Sequence, residues 1–317
     1  MKIGRFIPQS VKHTILNVAR FPERTKWKIY RAASLGKIPF PDKAYIKWNF
    51  KLRNNGAKLD LKSPKTLQEK LSWMKLYYHD PKQTQMVDKY GVRSIIKEKL
   101  GEEYLVPLIG VYDTFEEIDF DSLPKQFVLK CTHDSGSVVI CKDKDSFDYE
   151  AAKEKITSHL KYNHFYLSRE WPYKNVHPRI ICEPYLKDDN SEDRPDYKFL
   201  CFYGEPKLFL VLSDRGTEET QKMNYYTLDW KLLPINEKIY PNNPKPDKKP
   251  EQFDKMVEFA RILSKDIPFV RVDFTCINGK LFFGELTFYH NGAQRLLYPL
   301  EYNRILGDYL ILPERKI

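Results

Sequence analysis

Phe269-Val-Arg-Val-Asp-Phe-Thr-Cys276 and Leu281-Phe-Phe-Gly-Glu-Leu-Thr-Phe288 are two alternating stretches on either side of Ile277-Asn-Gly-Lys280. In the first, the even positions are apolar (Val270, Val272, Phe274, Cys276) and the odd ones carry Arg271, Asp273 and Thr275. In the second, Phe282, Leu286 and Phe288 are even, while Glu285 and Thr287 are odd. Successive strand residues point to opposite faces, so the pattern reads as a hairpin with one apolar and one polar face. For the two polar faces to coincide, odd residues must pair with odd ones. A two-residue Asn278-Gly279 turn would split Asp273 from Glu285. A three-residue loop, Ile277-Asn278-Gly279, with Gly279 as the left-handed residue of a bulge, unites them and is the expectation. It sets Arg271 opposite Glu285, with Asp273 diagonal.

Two carboxylates on one face repel unless a positive charge lies between them. Arg271 can supply it as a cross-strand ion pair. A magnesium ion can supply it too, since Mg²⁺ takes one or two carboxylates plus substrate phosphates, and Asp273, Glu285 and Thr287 offer the oxygens. Tyr289-His-Asn-Gly292 follows as a tight turn.

Upstream, Lys130 ends the apolar run Phe127-Val-Leu and precedes the small polar loop Cys131-Thr-His-Asp-Ser-Gly-Ser137. The loop amides with Ser135, Gly136 and Ser137, beside Lys130, form a candidate phosphate cradle; an ordinary hairpin turn is the competing reading. Lys89 is read as starting a helix, where a cation is disfavoured unless an anion is bound nearby. The buried strand Ile180-Ile-Cys-Glu183 ends in a carboxylate before Pro184. Glu183 and the backbone of Tyr185 and Leu186 suit an adenine ring, against a plain strand end with a solvated Glu183.

The remaining pattern is α+β. Helices are expected through residues 1–85, with Ser63-Pro64 as an N-cap pair before Leu67, Leu71 and Met74, and over Asp88–Leu100, Phe147–Tyr162 and Gln294–Leu312. Strands are expected at Gln126–Lys130, Ser137–Lys142, Arg179–Leu186, Tyr197–Phe202, Lys207–Leu212 and Tyr225–Leu232, besides the hairpin. An exposed Pro/Lys-rich loop, Tyr240–Pro250, precedes a helix at Phe253. Three segments follow: a helical region at 1–85, then 86–182 and 183–317.

The chain has 317 residues, 42% hydrophobic and 30% charged, ordinary for a soluble globular protein. No apolar run approaches a membrane span and no signal peptide is evident, so a cytoplasmic location is expected. The five cysteines form no CxxC pair and the seven histidines show no ligand spacing, so buried thiols and no zinc site are expected. The net charge of +10 is concentrated in residues 1–60, which hold 14 Lys+Arg against 3 Asp+Glu. Interleaved aromatics (Trp27, Tyr30, Phe40, Tyr45, Trp48) favour a packed or interfacial helical segment there. Such a segment can contact an anionic membrane, or be a solvated basic face with no specific partner.

Taken in order, these segments resemble the ATP-grasp superfamily, and more closely its TupA-like branch, named for a teichuronopeptide biosynthesis protein and found in cell-surface polysaccharide gene clusters. The resemblance runs from about Pro64 to Gly292. It rests on Ser63-Pro-Lys-Thr-Leu-Gln-Glu-Lys-Leu-Ser-Trp73, Val87-Asp-Lys-Tyr-Gly-Val-Arg93, Gly101-Glu-Glu-Tyr-Leu-Val-Pro107, Phe127-Val-Leu-Lys-Cys-Thr-His-Asp-Ser-Gly136, Arg169-Glu-Trp-Pro-Tyr-Lys174, Pro178-Arg-Ile-Ile-Cys-Glu183, Asp196-Tyr-Lys-Phe199 and the hairpin. It implies an ATP-grasp fold binding ATP and Mg²⁺. Lys89 and Lys130 would hold phosphates under a lid spanning roughly Asp88–Glu183, and Asp196 or Lys198 the ribose or phosphates. Asp273, Glu285 and Thr287 would hold the metal, with Thr287 where many such ligases carry Asn. Arg271 would steady an acyl phosphate. The N-terminal region departs from the pattern by lacking an α/β pre-domain. Arg169, Trp171 and Tyr173 are substrate candidates, because an aromatic and basic loop suits a sugar or an acidic acceptor.

The implied activity is carboxylate–amine ligation on a small-molecule or lipid-linked glycan acceptor, with no nucleic acid partner. A phosphotransferase using the same site is the alternative within the fold. A glycan- or membrane-binding protein acting through residues 1–60 is the alternative outside it. Two Asp-x-Asp triplets, Asp119–Asp121 and Asp143–Asp145, match what a nucleotide-sugar glycosyltransferase uses, but the second reads better as the polar start of the following helix.

Overall fold

The structure is a computed structural model that describes residues 23–188, 194–214 and 220–316. It opens with helices α1 (Glu23–Ser34) and α2 (Asp42–Arg53). Their aromatic residues form a small core of their own, in which the Tyr30 and Tyr45 rings stack at 5.6 Å and Phe40 stacks on Trp48. The basic segment is thus a packed helical pair from Glu23 onward, while residues 1–22 of it lie outside the described residues.

Helix α3 (Leu67–Tyr77) follows, capped differently from the expectation at Ser63-Pro64. Thr66 is the N-cap: its hydroxyl accepts from the Glu69 backbone N–H at 3.3 Å, and the Glu69 carboxylate accepts from the Thr66 N–H at 2.9 Å. That reciprocal pair satisfies two otherwise orphaned donors, which Ser63 and Pro64 cannot do from outside the first turn. Asp60 claims the Ser63 N–H instead, at 3.1 Å.

Two short helices come next, α4 (Lys82–Val87) and α5 (Val92–Lys99); the second is the helix expected from Asp88, and it begins only at Val92. Lys89 therefore lies in the turn between them and starts no helix. A four-stranded antiparallel sheet follows, built from β1 (Gly110–Tyr112), β2 (Phe127–Cys131), β3 (Val139–Cys141) and β4 (Ile180–Pro184) in the order β1-β4-β2-β3. Helix α6 (Tyr149–Leu160), capped by Asp148, closes its core through Ile156 and Ala152, against Phe127, Leu129 and Ile180. Asp119 and Asp143 each cap a 3-10 turn, which is the structural use of both Asp-x-Asp triplets. The short helix α7 (Phe165–Ser168) and a 3-10 turn at Trp171–Asn175 lead into β4.

The second sheet has six antiparallel strands. These are β5 (Asp196–Phe202), β6 (Glu205–Ser213), β7 (Lys222–Thr227), β8 (Leu232–Leu233), β9 (Val270–Ile277) and β10 (Lys280–Thr287), in the order β10-β9-β5-β6-β7-β8. Helix α8 (Phe253–Ser264) covers one face with Phe253, Met256 and Leu263, against Phe199, Phe209 and Phe274. Each such aromatic contributes about 1.5–3 kcal/mol by leaving water. The final helix, α9 (Glu301–Tyr309), packs on α3, and Lys70 of α3 donates to the Gly307 and Leu310 carbonyls at 2.8 and 2.7 Å. The Pro/Lys-rich loop is pinned by Asp247, which accepts from Tyr226 at 2.7 Å and Asn224 at 3.1 Å.

The hairpin corrects the loop expectation while keeping its consequence. Asn278 and Gly279 form a two-residue turn with φ of 51° and 74°, so Ile277 pairs with Lys280 and Phe274 with Phe283. A bulge at Gly284 then shifts the register, and Glu285 pairs with Asp273 and Thr287 with Arg271. Parity is restored at Gly284 rather than at Gly279. Glycine suits the bulge, because a Cβ there would meet the Asp273 carbonyl oxygen at 3.0 Å.

All five cysteines are free; four are buried and Cys276 is intermediate. Among the described residues no helix is long and apolar enough to cross a membrane.

Candidate active site between the two sheets

The polar face of the hairpin lines a cavity of about 360 Å³ between the two sheets. Strand register sets its geometry. Lys198 on β5 pairs directly with Asp273 on β9, which pairs with Glu285 on β10, so three charged side chains form one row across three strands. Arg271, two residues from Asp273 on the same face, bridges the row. Its Nε and Nη2 donate to Asp273 Oδ1 and Oδ2, both at 2.7 Å, and Nη2 also donates to Glu285 Oε1 at 2.9 Å. Lys198 Nζ donates to Asp273 Oδ2 at 2.6 Å and lies 3.3 Å from Asp196. Thr287 Oγ1 is 3.5 Å from Glu285 Oε1. The cross-strand ion pair is thus made, and it holds both carboxylates rather than one.

These contacts fix the charge states. Burial works to raise the Asp273 carboxyl, but Arg271 and Lys198 outweigh it and hold the pKa at about 2. Burial likewise works to lower the Lys198 ammonium, and Asp273 with Asp196 outweighs it, so its pKa is raised. The Arg271 guanidinium is raised in the same way by Asp273 and Glu285. All three are ionised at neutral pH.

Behind Arg271 lies a buried group that sequence reading missed. Arg271 Nη1 approaches His290 Nδ1 at 3.4 Å, and His290 Nε2 meets Glu237 Oε1 at 2.7 Å. Since a guanidinium can only donate, a neutral His290 accepts at Nδ1 and donates from Nε2. Tyr225 and Asn291 also bond the Glu237 carboxylate. His290 and Asn291 stand directly after the hairpin and were visible as its turn. Glu237 carried no local signal.

The opposite wall comes from the four-stranded sheet. Lys130 on β2 reaches diagonally across β4 to Glu183 Oε2 at 2.6 Å, and Arg93 of α5 lies 3.6 Å from Glu183 Oε1. Glu183 is therefore buried and ion-paired, not solvated, and its carboxylate faces two cations. Lys89 donates its backbone N–H to the Thr132 carbonyl at 3.0 Å and its ammonium to the Asp134 carbonyl, which docks the α4–α5 turn on the β2–β3 loop. Within that loop the expected cradle divides. Ser135 and Gly136, at a tip where Gly136 has φ 98°, are exposed and line the cavity. Ser137 does not: its buried hydroxyl accepts from the Cys131 N–H at 2.8 Å and donates to Asp134 Oδ1 at 2.7 Å, bracing the loop from inside.

Asp196 and Lys198 line the cavity, whereas Tyr185 and Leu186 do not. Arg194 holds both of the latter, donating to the Leu186 carbonyl and, at 3.2 Å, to the Tyr185 hydroxyl. Of the substrate candidates, Arg169 is a structural clamp. It is buried with φ 59°, its Nε is 2.8 Å from Asp42 of α2, and its guanidinium covers the Tyr45 ring at 4.0 Å. Trp171 stacks on His79 at 4.8 Å and lines neither the cavity nor the chamber beside it. Tyr173 alone of the three borders that chamber, which opens past Glu285 and Ser135.

A nucleotide with its magnesium fits this donor set. The cavity volume falls in the roughly 300–1,000 Å³ range of small-ligand sites. Lys89, Arg93, Lys130 and Lys198 line it beside Glu183, Asp196, Asp273, Glu285 and Ser135. Asp273 is already ionised, so it need release no proton to take a cation. Among the described residues no group of three or more His, Cys, Asp or Glu is placed to hold a metal ion.

None of the curated proteins matches this chain. Among solved structures, it resembles D-alanine–D-alanine ligase from Bacillus anthracis at 16% identity and a TM-score of 0.40, covering 76% of this chain and 67% of that one. The ATP-grasp ligase PsnB complexed with minimal precursor, Mg and ADP is 12% identical with a TM-score of 0.38, covering 76% and 64%. D-cycloserine synthetase DcsG is 14% identical with a TM-score of 0.36, covering 72% and 71%. The chain thus spans about two thirds of the length of the first two. The profile of the TupA-like ATP-grasp family matches residues 69–311, which take in both sheets, the cavity between them and helix α9. With the α+β architecture and that match, the chain belongs to the TupA-like ATP-grasp family.

Proposed function

We propose that this ATP-grasp enzyme is a carboxylate–amine ligase that consumes Mg-ATP and works through an acyl phosphate. The observation that carries the reading is the charged row Lys198–Asp273–Glu285, bridged by Arg271, facing Lys89 and Lys130 across one cavity. In this reading a substrate carboxylate oxygen attacks the γ-phosphorus and ADP leaves. The amine nitrogen then attacks the acyl carbon, phosphate leaves and the nitrogen loses a proton. Lys130 and Lys89 neutralise phosphate oxygens, and Arg271 faces the acyl phosphate, so the chain acts mainly by positioning and preorganised charge. Asp273, Glu285 and Thr287 would hold Mg²⁺, which would supply positive charge to neutralise phosphate oxygens. No nucleophilic side chain is required.

The carboxylate we propose is a uronic acid of a cell-surface polysaccharide, on the strength of the TupA-like family. The basic N-terminal region would bring the enzyme to the anionic membrane face where lipid-linked glycans are assembled. The test is ADP release over a matrix of amino acids and uronic acids, with products weighed by mass spectrometry. An amide whose formation needs both partners is expected. A phosphate ester formed without any amine would replace the ligase by a kinase.

A further inference from the structure

Three hydrogen bonds from Arg271 end on Asp273 and Glu285, the carboxylates that would hold the metal. A cation drawn to those oxygens competes with the guanidinium for them. The contact from Arg271 Nη1 to His290 Nδ1, at 3.4 Å, stands outside that competition.

His290 is held from behind by groups that line neither the cavity nor the chamber beside it. Its Nε2 lies 2.7 Å from Glu237 Oε1 and 3.1 Å from the Tyr225 hydroxyl, and Tyr225 and Asn291 also bond the Glu237 carboxylate. These residues converge from separate elements. Tyr225 lies on β7, Glu237 in the segment after β8, and His290 in the turn after β10. A backbone bridge fixes the segment after β8: the Asn236 N–H donates to the Tyr298 carbonyl at 2.8 Å and the Tyr298 N–H returns the bond at 2.9 Å. Tyr225, Glu237 and His290 are all buried. A buried carboxylate is costly unless well bonded, and an apolar side chain would fill the space at less cost, so an acid placed behind Arg271 calls for a use. Burial works to raise the Glu237 carboxyl, but His290, Tyr225 and Asn291 outweigh it and its pKa is lowered. Ionised Glu237 claims the proton of Nε2, which leaves the Nδ1 lone pair toward the guanidinium. A protonated Nδ1 would set one donor against another.

We propose that Glu237 and His290 are positioning residues for Arg271. Glu237 fixes the tautomer and the ring of His290. His290 Nδ1 then keeps the guanidinium aimed at the phosphoryl group in transfer when Asp273 and Glu285 turn to the metal. A neutral acceptor holds the guanidinium without offsetting its charge, which stays available to phosphate oxygens. The inference rests on the reading that Arg271 faces the acyl phosphate.

The test separates the two ends of the imidazole. In His290→Asn the amide oxygen takes the place of Nδ1 and can accept from Arg271, while the bond to Glu237 is lost. In His290→Gln the amide nitrogen takes the place of Nε2 and can donate to Glu237, while the acceptor facing Arg271 is lost. Full-length wild type and variants are titrated calorimetrically with Mg²⁺ and ADP, alone and with aluminium fluoride as the stand-in for the phosphoryl group. Each free protein is also melted by circular dichroism. Affinity for Mg-ADP alone should stay within about twofold throughout. Fluoroaluminate should tighten wild-type binding. That complex should weaken about tenfold in His290→Gln and about threefold or less in His290→Asn. Melting should rank the other way, with His290→Gln the more stable. Equal losses in the two variants, losses that follow the melting order, or no fluoroaluminate effect in wild type would overturn the proposal. If either variant fails to fold, Tyr225→Phe decides. It removes a hydroxyl from both Nε2 and Glu237 and should weaken the fluoroaluminate complex about threefold; an unchanged complex overturns the proposal. Arg271→Lys keeps failure of the underlying reading apart. It should weaken the fluoroaluminate complex about tenfold or more, and full affinity there would remove Arg271 from the phosphoryl group whatever the His290 variants do.

Discussion

The two walls of the cavity between the sheets hold their charges by different means. On the six-stranded sheet, Lys198, Asp273 and Arg271 stand mid-strand, paired across β5, β9 and β10 and mostly buried. Backbone register sets their spacing, and a large apolar core lies on the other face. On the four-stranded sheet the strands are three to five residues long. The charge there comes from Lys130, whose side chain is 28% exposed, and from Lys89 on a turn. One wall is a fixed anchor, and the other reaches into the cavity through long side chains and a loop tip. In the proposed reading the anchored wall would hold the metal and the other would admit and release the nucleotide.

Asp273→Asn should break this contrast with the largest effect. It strips the shared partner from two buried cations, costing about 3–5 kcal/mol in stability, and ADP formation should fall about 10³-fold. Thermal melting and a coupled ADP assay read the two. Acid unfolding sharpens the point. The folded pKa of Asp273 is about 2, below the ordinary 3.8, so its stabilisation is complete above the unfolded pKa and is lost as pH falls toward 2. That limb is worth about 2 kcal/mol and should be missing in Asp273→Asn. A variant that keeps full activity would remove Asp273 from the site.

Lys130→Met should separate function from stability on the other wall. Glu183 retains Arg93, so destabilisation should stay near 1 kcal/mol, while ADP formation falls about 10²-fold. If Lys130→Met melted as low as Asp273→Asn, the two walls would not differ as described. The smallest effect is expected for Gly284→Ala. A Cβ 3.0 Å from the Asp273 carbonyl must push the bulge by a few tenths of an ångström. We expect about 1 kcal/mol in melting and a few-fold loss of activity as Glu285 shifts against Asp273. Unchanged activity would show that the register at the bulge tolerates drift.

Much of this was legible before the structure. The alternation in residues 269–288 carries both strands and their polar face, and every strand expected upstream has a counterpart shifted by a few residues. The cations Lys89, Lys130, Lys198 and Arg271 all reach the cleft region. The errors are local competitions that sequence leaves undecided. Ser63 and Thr66 are both N-cap residues, and Glu69 chose between them by bonding back to Thr66. Ser137 resembles Ser135 in sequence, yet one braces the loop and the other faces the cavity. Arg169 belongs to α2 because Asp42 and Tyr45 meet it more than a hundred residues away in sequence.

The hairpin shows where the division lies. Period-two patterning determined that Asp273 and Glu285 share a face, because the opposite arrangement would put Leu286 in the polar cleft; it misplaced Phe282, which pairs with Thr275 ahead of the bulge while Phe283 takes the core side against Phe274. Whether a longer loop or a bulge restores that parity costs nearly the same locally, so the sequence is silent on it. Packing decided: an Asn-Gly turn took the tight form, and Gly284, directly before Glu285, absorbed the extra step. That choice moved Glu285 from opposite Arg271 to opposite Asp273. The second chamber, assembled from Arg53, Glu170 and Tyr289, belongs wholly to tertiary structure, since no local pattern brings them together.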